Sequence, residues 1–138
     1  MTDRPEQRTF FGVTVDARIP FTFVLVHGIN STVRSSEHKS TTRSVNLTGL
    51  TFETESIHYD GLHLSFTESA YGRNSLEIKL DLGKKIGEIS VIGQVSWYER
   101  RATATRHTFI VGVSFIDVQA DEMVALREFL QQAQSQGR

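Results

Sequence analysis

The sequence predicts a mostly β protein, a small antiparallel β-barrel with a C-terminal α-helix, and three observations carry that prediction. Apolar residues recur at every second position in roughly seven short runs between Phe11 and Phe115. Turn-forming residues separate several of these runs. After Asp117 the apolar spacing lengthens to that of a helix.

In chain order, Phe11, Val13 and Val15 alternate with polar or small neighbours, and Ile19, Phe21, Phe23 and Leu25 do likewise. Successive strand side chains point to opposite faces, so this spacing describes half-buried strands. The stretch from Gly28 to Arg43 has no periodicity and little apolar content, and reads as a long loop. Between Ser44 and Thr54 the apolar positions change parity, from Val45 and Leu47 to Leu50 and Phe52. Strict alternation makes such a slip the sign of an inserted residue, which predicts a β-bulge at Gly49.

Further strands carry Leu62, Leu64 and Phe66; Leu76, Ile78, Leu80 and Leu82; Ile89, Val91, Val95 and Trp97; and Phe109, Val111, Val113 and Phe115. The turns Asp60-Gly61, Tyr71-Gly72-Arg73-Asn74 and Gly83-Lys84-Lys85 suit antiparallel connections. Met123, Leu126, Phe129 and Leu130 fall on one side of an amphipathic helix over 120–133, expected to pack on the barrel and cover an open end or edge. A length of 138 residues without internal repeats is read as one domain, 1–138, whose first eight residues form a flexible polar arm.

Composition narrows the function classes. No run approaches the roughly 20 apolar residues of a membrane span, and the charged segment Met1 to Arg8 lacks the apolar stretch of a secretory signal, so a cytoplasmic location is expected. Without that signal the glycosylation patterns at Asn30 and Asn46 carry no weight. The absence of cysteine removes disulfides, thiol nucleophiles and cysteine metal sites. A net charge of -1 provides no overall field that would draw the chain onto nucleic acid.

The candidate chemistry is correspondingly narrow. His27, His38, His58, His63 and His107 show no metal-ligand spacing, so no metal or cofactor is expected. G-x-S-x-G, Walker A and G-x-G-x-x-G patterns are missing, and Asp60, Asp81, Asp117 and Asp121 suit turns and caps, so no catalytic residue and no enzyme is predicted. Arg100, Arg101, Arg106 and His107 surround a hairpin and read as its solvated tip; beside a groove they would supply forked donors for phosphate or guanine. Trp97 sits in a strand pattern and is read as core or rim rather than as a stacking platform for a base. Phe10 and Phe11 point to opposite faces, so one of them needs cover from the N-terminal segment or a partner.

Three stretches together resemble the PilZ domain, a bacterial receptor module for cyclic di-GMP. Gln7-Arg8-Thr9-Phe10-Phe11-Gly12-Val13-Thr14-Val15 is similar to the family's R-x-x-x-R motif running into its first strand; Ser44-Val45-Asn46-Leu47-Thr48-Gly49-Leu50 sits where the family carries [D/N]-x-S-x-x-G. Ile92 to Trp97 and Ile110 to Asp117 resemble its closing hairpin before the terminal helix. Arg8 stands for the first motif arginine while Gly12 occupies the place of the second; Arg4-Pro5-Glu6-Gln7-Arg8 matches the motif literally, four residues earlier. Ser44 and Asn46 replace the usual Asp or Asn and the serine, and Gly49 is retained.

The resemblance implies cyclic di-GMP lying across one face of the barrel, with Arg8 on phosphate or guanine and Arg4 assisting. Ser44 and Asn46 would bond a guanine, and Gly49 would allow close approach. No chemistry is done on the ligand; ordering of the arm would alter the surface shown to a partner protein, by family analogy one of the pilus or flagellar machinery. The alternative is an adaptor that kept the fold and lost the nucleotide, which Gly12 and the altered second motif favour, and which would rely on an apolar patch including Phe10 or Phe11.

Overall fold

A computed structural model describes residues 14–27, 33–65 and 74–136 of the protein. The expectations for Arg4, Arg8, Phe10, Phe11, Gly12, Phe66 and most of the Tyr71–Asn74 turn therefore lie outside the described residues.

Over the described residues the chain runs through β1 (Pro20–His27), β2 (Val33–Arg34), β3 (His38–Asn46), β4 (Gly49–Thr54), β5 (His58–Tyr59), β6 (Leu62–His63), β7 (Ser75–Asp81), β8 (Glu88–Ala102) and β9 (His107–Asp117) to a C-terminal helix, α1 (Ala120–Gln136). Six strands close an antiparallel barrel in the order β1-β3-β4-β9-β8-β7, with β7 pairing back onto β1. Closure leaves no long unpaired edge. The period-two residues of β1, β7 and β9 turn inward as expected: Phe21, Phe23 and Leu25 meet Leu76, Ile78, Leu80, Val111 and Val113 in one core. Phe21 and Phe52 pack edge-to-face at 5.2 Å, as do Phe23 and Tyr59.

The terminal helix begins where predicted and buries Leu126 and Leu130 in the barrel core, with Met123 and Phe129 half-buried. Glu122 starts it: one carboxylate oxygen accepts from the Gln119 N–H at 3.3 Å, the return half of a capping box. Its other oxygen accepts from the Ser90 N–H at 3.2 Å, on a part of β8 that β9 no longer covers, since β9 ends at Asp117 opposite Ile92. Among the described residues no helix is long and apolar enough to cross a membrane.

The expected loop from Gly28 to Arg43 is corrected: it contains β2 and more than half of β3. As far as Thr42 the inward positions of β3 are polar, which hides this part of the strand from a hydrophobic period. His38 and Ser40 pair with Phe23 and Phe21, and the His38 ring packs 5.6 Å from Phe23 and 4.6 Å from Tyr59. Thr42 is fully buried; its hydroxyl donates to the Ala17 carbonyl at 2.5 Å and accepts from the Ile19 N–H at 2.9 Å. A buried hydroxyl with both partners in place can occupy a core position at little cost. Among the described residues Val15 forms an isolated bridge to Val45, and Leu62 and His63 make up β6. The β5–β6 hairpin turns through Asp60 and Gly61, both at positive φ, as an Asp-Gly pair favours.

Candidate functional site

The motif Ser44 to Gly49 forms the end of β3, a tight turn and the start of β4. Asn46 pairs with Gly49, and Leu47-Thr48 make the turn between them. The Asn46 Oδ1 accepts from the Thr48 N–H at 2.8 Å and from its hydroxyl at 2.9 Å, an Asx turn. This turn accounts for the change of parity between Leu47 and Leu50, so the expected bulge at Gly49 is corrected. Gly49 is there because β9 comes close: a Cβ on it would stand 2.2 Å from the Val113 carbonyl oxygen.

The bulge lies at Arg43. Thr42 pairs with Phe52 and Ser44 with Thr51, leaving Arg43 over. Thr42 and Val45 both face the core, so Arg43 and Ser44 both turn outward. A second bulge stands across the barrel face in β8: Val95 pairs with Val113 and Trp97 with Gly112, leaving Ser96 over. Ser96 and Trp97 are therefore both exposed, and of the two placements read for Trp97, core or rim, the core is ruled out: it is 47% exposed on the outside of the barrel. Its indole lies on Gly112, where a Cβ would be 2.3 Å from the ring.

These irregularities lay out a polar face across four strands. Ser44, Thr51, Gly112 and Trp97 follow one another through the pairings of β3, β4, β9 and β8. The next row runs Asn46, Gly49 and Ser114, whose hydroxyl bonds that of Ser96. The Ser44 and Thr51 hydroxyls share a bond of 2.7 Å. The Asn46 side-chain amide donates to the Thr14 hydroxyl at 3.2 Å, which places Thr14 at the edge of this face.

Two adjoining depressions occupy the face. One of about 240 Å³ surrounds Asn46, Gly49, Ser96 and Ser114, and one of about 450 Å³ is bordered by Asp16, Arg18, Arg43 and Ile110. They meet at Ser44, Thr51 and Trp97; the larger has the size of a small-molecule site, roughly 300–1,000 Å³, and the smaller falls below it. No hydrogen bond or ion pair ties the Arg18 or Arg43 side chain to another described residue. Of the predicted site residues, Ser44, Asn46 and Gly49 come together here; Arg8 and Arg4 fall outside the described residues. Arg18, Arg43 and Trp97 were not predicted, and only the two bulges reveal that they share a face with the motif.

Other polar groups suit an anionic ligand less well. A depression of about 390 Å³ between β1, β7, β8 and the start of α1 is bordered by Glu37, Glu77, Asp117 and Glu122 against Arg34 and Lys79. Arg34 already forks onto Glu77, with one bond at 3.0 Å, and that bond holds the Glu77 carboxyl below its usual range. At the β8–β9 tip Arg106 pairs with Glu55 at 2.5 Å, both well exposed, and an Arg100 guanidinium nitrogen lies 3.0 Å from the His107 Nδ1. His58 and His63 face each other across β5–β6 at 5.0 Å, and among the described residues no three metal-ligating side chains gather.

No family model matches the sequence, and no curated protein matches it. Solved structures do. The PilZ domain of Escherichia coli YcgR with c-di-GMP aligns over 91% of this chain and 92% of its own, with a TM-score of 0.60 at 12% identity. The Bacillus subtilis inhibitor of motility MotI/DgrA aligns over 100% of this chain and 58% of its own, with a TM-score of 0.61 at 17% identity. The apo form of K. pneumonia MrkH aligns over 99% of this chain and 54% of its own, with a TM-score of 0.62 at 11% identity. The chain thus spans little more than half of the last two. Identities this low establish the fold, which is PilZ-like.

Proposed function

We propose that this PilZ-like barrel is a signalling module that binds cyclic di-GMP on the outer face around Ser44, Asn46 and Gly49 and passes the bound state to a partner protein. The observation that supports it most is the convergence of hydroxyls, a side-chain amide and two guanidiniums with no partner among the described residues, on a face of the fold that also carries the [D/N]-x-S-x-x-G-like turn. An anionic ligand with guanine bases presents phosphate oxygens and the O6 and N7 acceptors, which arginine and amide N–H groups match. Asn46 commits its carbonyl oxygen to the turn, so it meets the ligand as a donor. Arg8 stands six residues before Thr14, within about 20 Å of extended chain, close enough to reach the same face. Arg4 would assist from the same arm, and no bond in the ligand is broken.

A second reading is favoured by one specific feature. Gly12 stands where the resemblance places a second arginine, and a glycine offers no forked donor. Under this reading the chain is a nucleotide-independent adaptor for a partner such as motility machinery; one structural neighbour is named as an inhibitor of motility.

Calorimetric titration with cyclic di-GMP, with an Arg8→Ala variant alongside, separates the two. Micromolar or tighter binding that the variant weakens supports the receptor. Absence of heat near millimolar ligand, about 4 kcal/mol of binding free energy, rejects it in favour of the adaptor.

A further inference from the structure

The motif accounts for one of the two adjoining depressions and leaves the larger one, around Arg18 and Arg43, without a role. Resting on the receptor reading above, we infer that this second depression is the other half of the same site: Arg43, with Arg18 beside it, holds a phosphate of the cyclic dinucleotide, and Trp97 stacks one of its bases.

Three observations converge on this. First, each bulge redirects side chains that a regular strand would place elsewhere. Without the extra residue in β3, the alternation that buries Thr42 would bury Ser44 and expose Val45; with it, Arg43 and Ser44 stand side by side and Val45 returns to the core. In β8 the extra Ser96 turns Trp97 out of the barrel. The two bulged strands flank the β4–β9 pair, so both irregularities serve one face.

Second, the floor between them has been kept low. Gly112 lies directly beneath Trp97, and its missing Cβ lets the indole lie against the backbone with nearly half of its surface exposed. A large aromatic held flat on one side and open on the other is a stacking surface for any base. Third, among the described residues nothing pairs with the Arg18 or Arg43 side chain, and Asp16 is the one acid bordering the depression. Guanidiniums so placed suit phosphate oxygens, and they would supply the positive charge that Gly12 cannot.

Trp97 is the single tryptophan of the chain, so its fluorescence reports on the junction of the two depressions, and the Arg43 variants report on the larger one. The test titrates cyclic di-GMP into wild type, Arg43→Ala, Arg43→Lys, Trp97→Ala and Trp97→Phe, by calorimetry and, where Trp97 is present, by fluorescence. Thermal unfolding of each variant checks that it is folded, and Arg106→Ala at the hairpin tip is the control with unchanged affinity.

The expected results are a change in Trp97 emission on binding and a loss of about tenfold or more in affinity for Arg43→Ala. Arg43→Lys should recover only part of it, since an ammonium lacks the fork. Trp97→Ala should weaken binding about five- to a hundredfold, with Trp97→Phe between it and wild type. Wild-type binding with silent fluorescence and unaffected folded variants overturns this inference and leaves the receptor reading standing. A wild type that does not bind removes both.

Discussion

Gly49→Ala tests whether the motif glycine is required by the fold or by a ligand. The added Cβ would lie 2.2 Å from the Val113 oxygen, 3.2 Å from its carbonyl carbon and 3.4 Å from the Ser114 Cα, all backbone atoms, whereas Cβ contacts essentially never fall below 3.0 Å. No side chain can rotate away, so β4 and β9 must separate at the Gly49–Ser114 pair, beside the 2.8 Å bond from the Phe115 N–H to the Thr48 carbonyl. Forced overpacking costs about 1–3 kcal/mol and a weakened backbone bond about 1 kcal/mol more. For a chain of this size that lowers the melting temperature by roughly 10 °C. Circular dichroism during heating and in urea gives the measurement, with the urea slope expected to stay unchanged. A variant that melts within about 2 °C of wild type refutes the steric reasoning. If that same variant has lost cyclic di-GMP binding, the glycine serves the ligand instead.

Other substitutions probe what holds the site in place. Leu126→Ala removes a side chain fully buried between helix and barrel and should cost about 2–5 kcal/mol in urea unfolding; a smaller loss would mean that the helix contributes little to the core. Thr42→Val keeps the shape but leaves the Ile19 N–H without its acceptor, for an expected loss of about 1–3 kcal/mol, and wild-type stability would show that the hydroxyl is dispensable. Burial, followed by the charge of His58, holds the His63 imidazole below its usual pKa of 6.5, and its Nδ1 accepts from the Ser65 N–H at 2.9 Å. The unfolded chain therefore takes up the proton first: stability is level above about pH 7 and falls as the pH drops through 6.5 toward the folded value. His63→Gln should flatten that slope between about pH 5 and 8, and identical slopes would reject the assignment.

The barrel was legible in the sequence where its inward residues are apolar, as in β1, β7, β9 and the helix. The first part of β3, as far as Thr42, was not, because its inward positions hold His38, Ser40 and Thr42. They are accommodated by ring packing and by hydroxyl bonds to backbone that is distant in sequence, which no local pattern displays. The parity change after Leu47 has two physical causes, an inserted residue or a tight turn, and Asn46 with Gly49 three positions later is the pattern of a turn. That signal was available, and weighing it would have split the run into β3 and β4. Ser44, Asn46 and Gly49 were within reach because they are contiguous. Arg18 and Arg43 were not, since their facing depends on the register of strands paired across the barrel.

Trp97 shows why such a face escapes a reading by period. In an unbroken β8, the alternation that buries Ile89, Val91 and Val95 would bury Trp97 as well, and a tryptophan is a reasonable core residue. Its exposure instead depends on one extra residue, Ser96, and the strand tolerates that residue because Val95 before it and Val113 opposite it remain buried. The same holds in β3, where Val45 returns to the core after Arg43. Each break is thus anchored by well-packed apolar neighbours and is not a region of loose structure. A closed barrel offers no sheet edge to a ligand, and the interior of this one is filled by packed side chains, which leaves its ends and its outer face. Inserting a residue on either side of a glycine-bearing strand pair shapes a surface on that face without disturbing the core, which ties the misread positions to the candidate site by one cause.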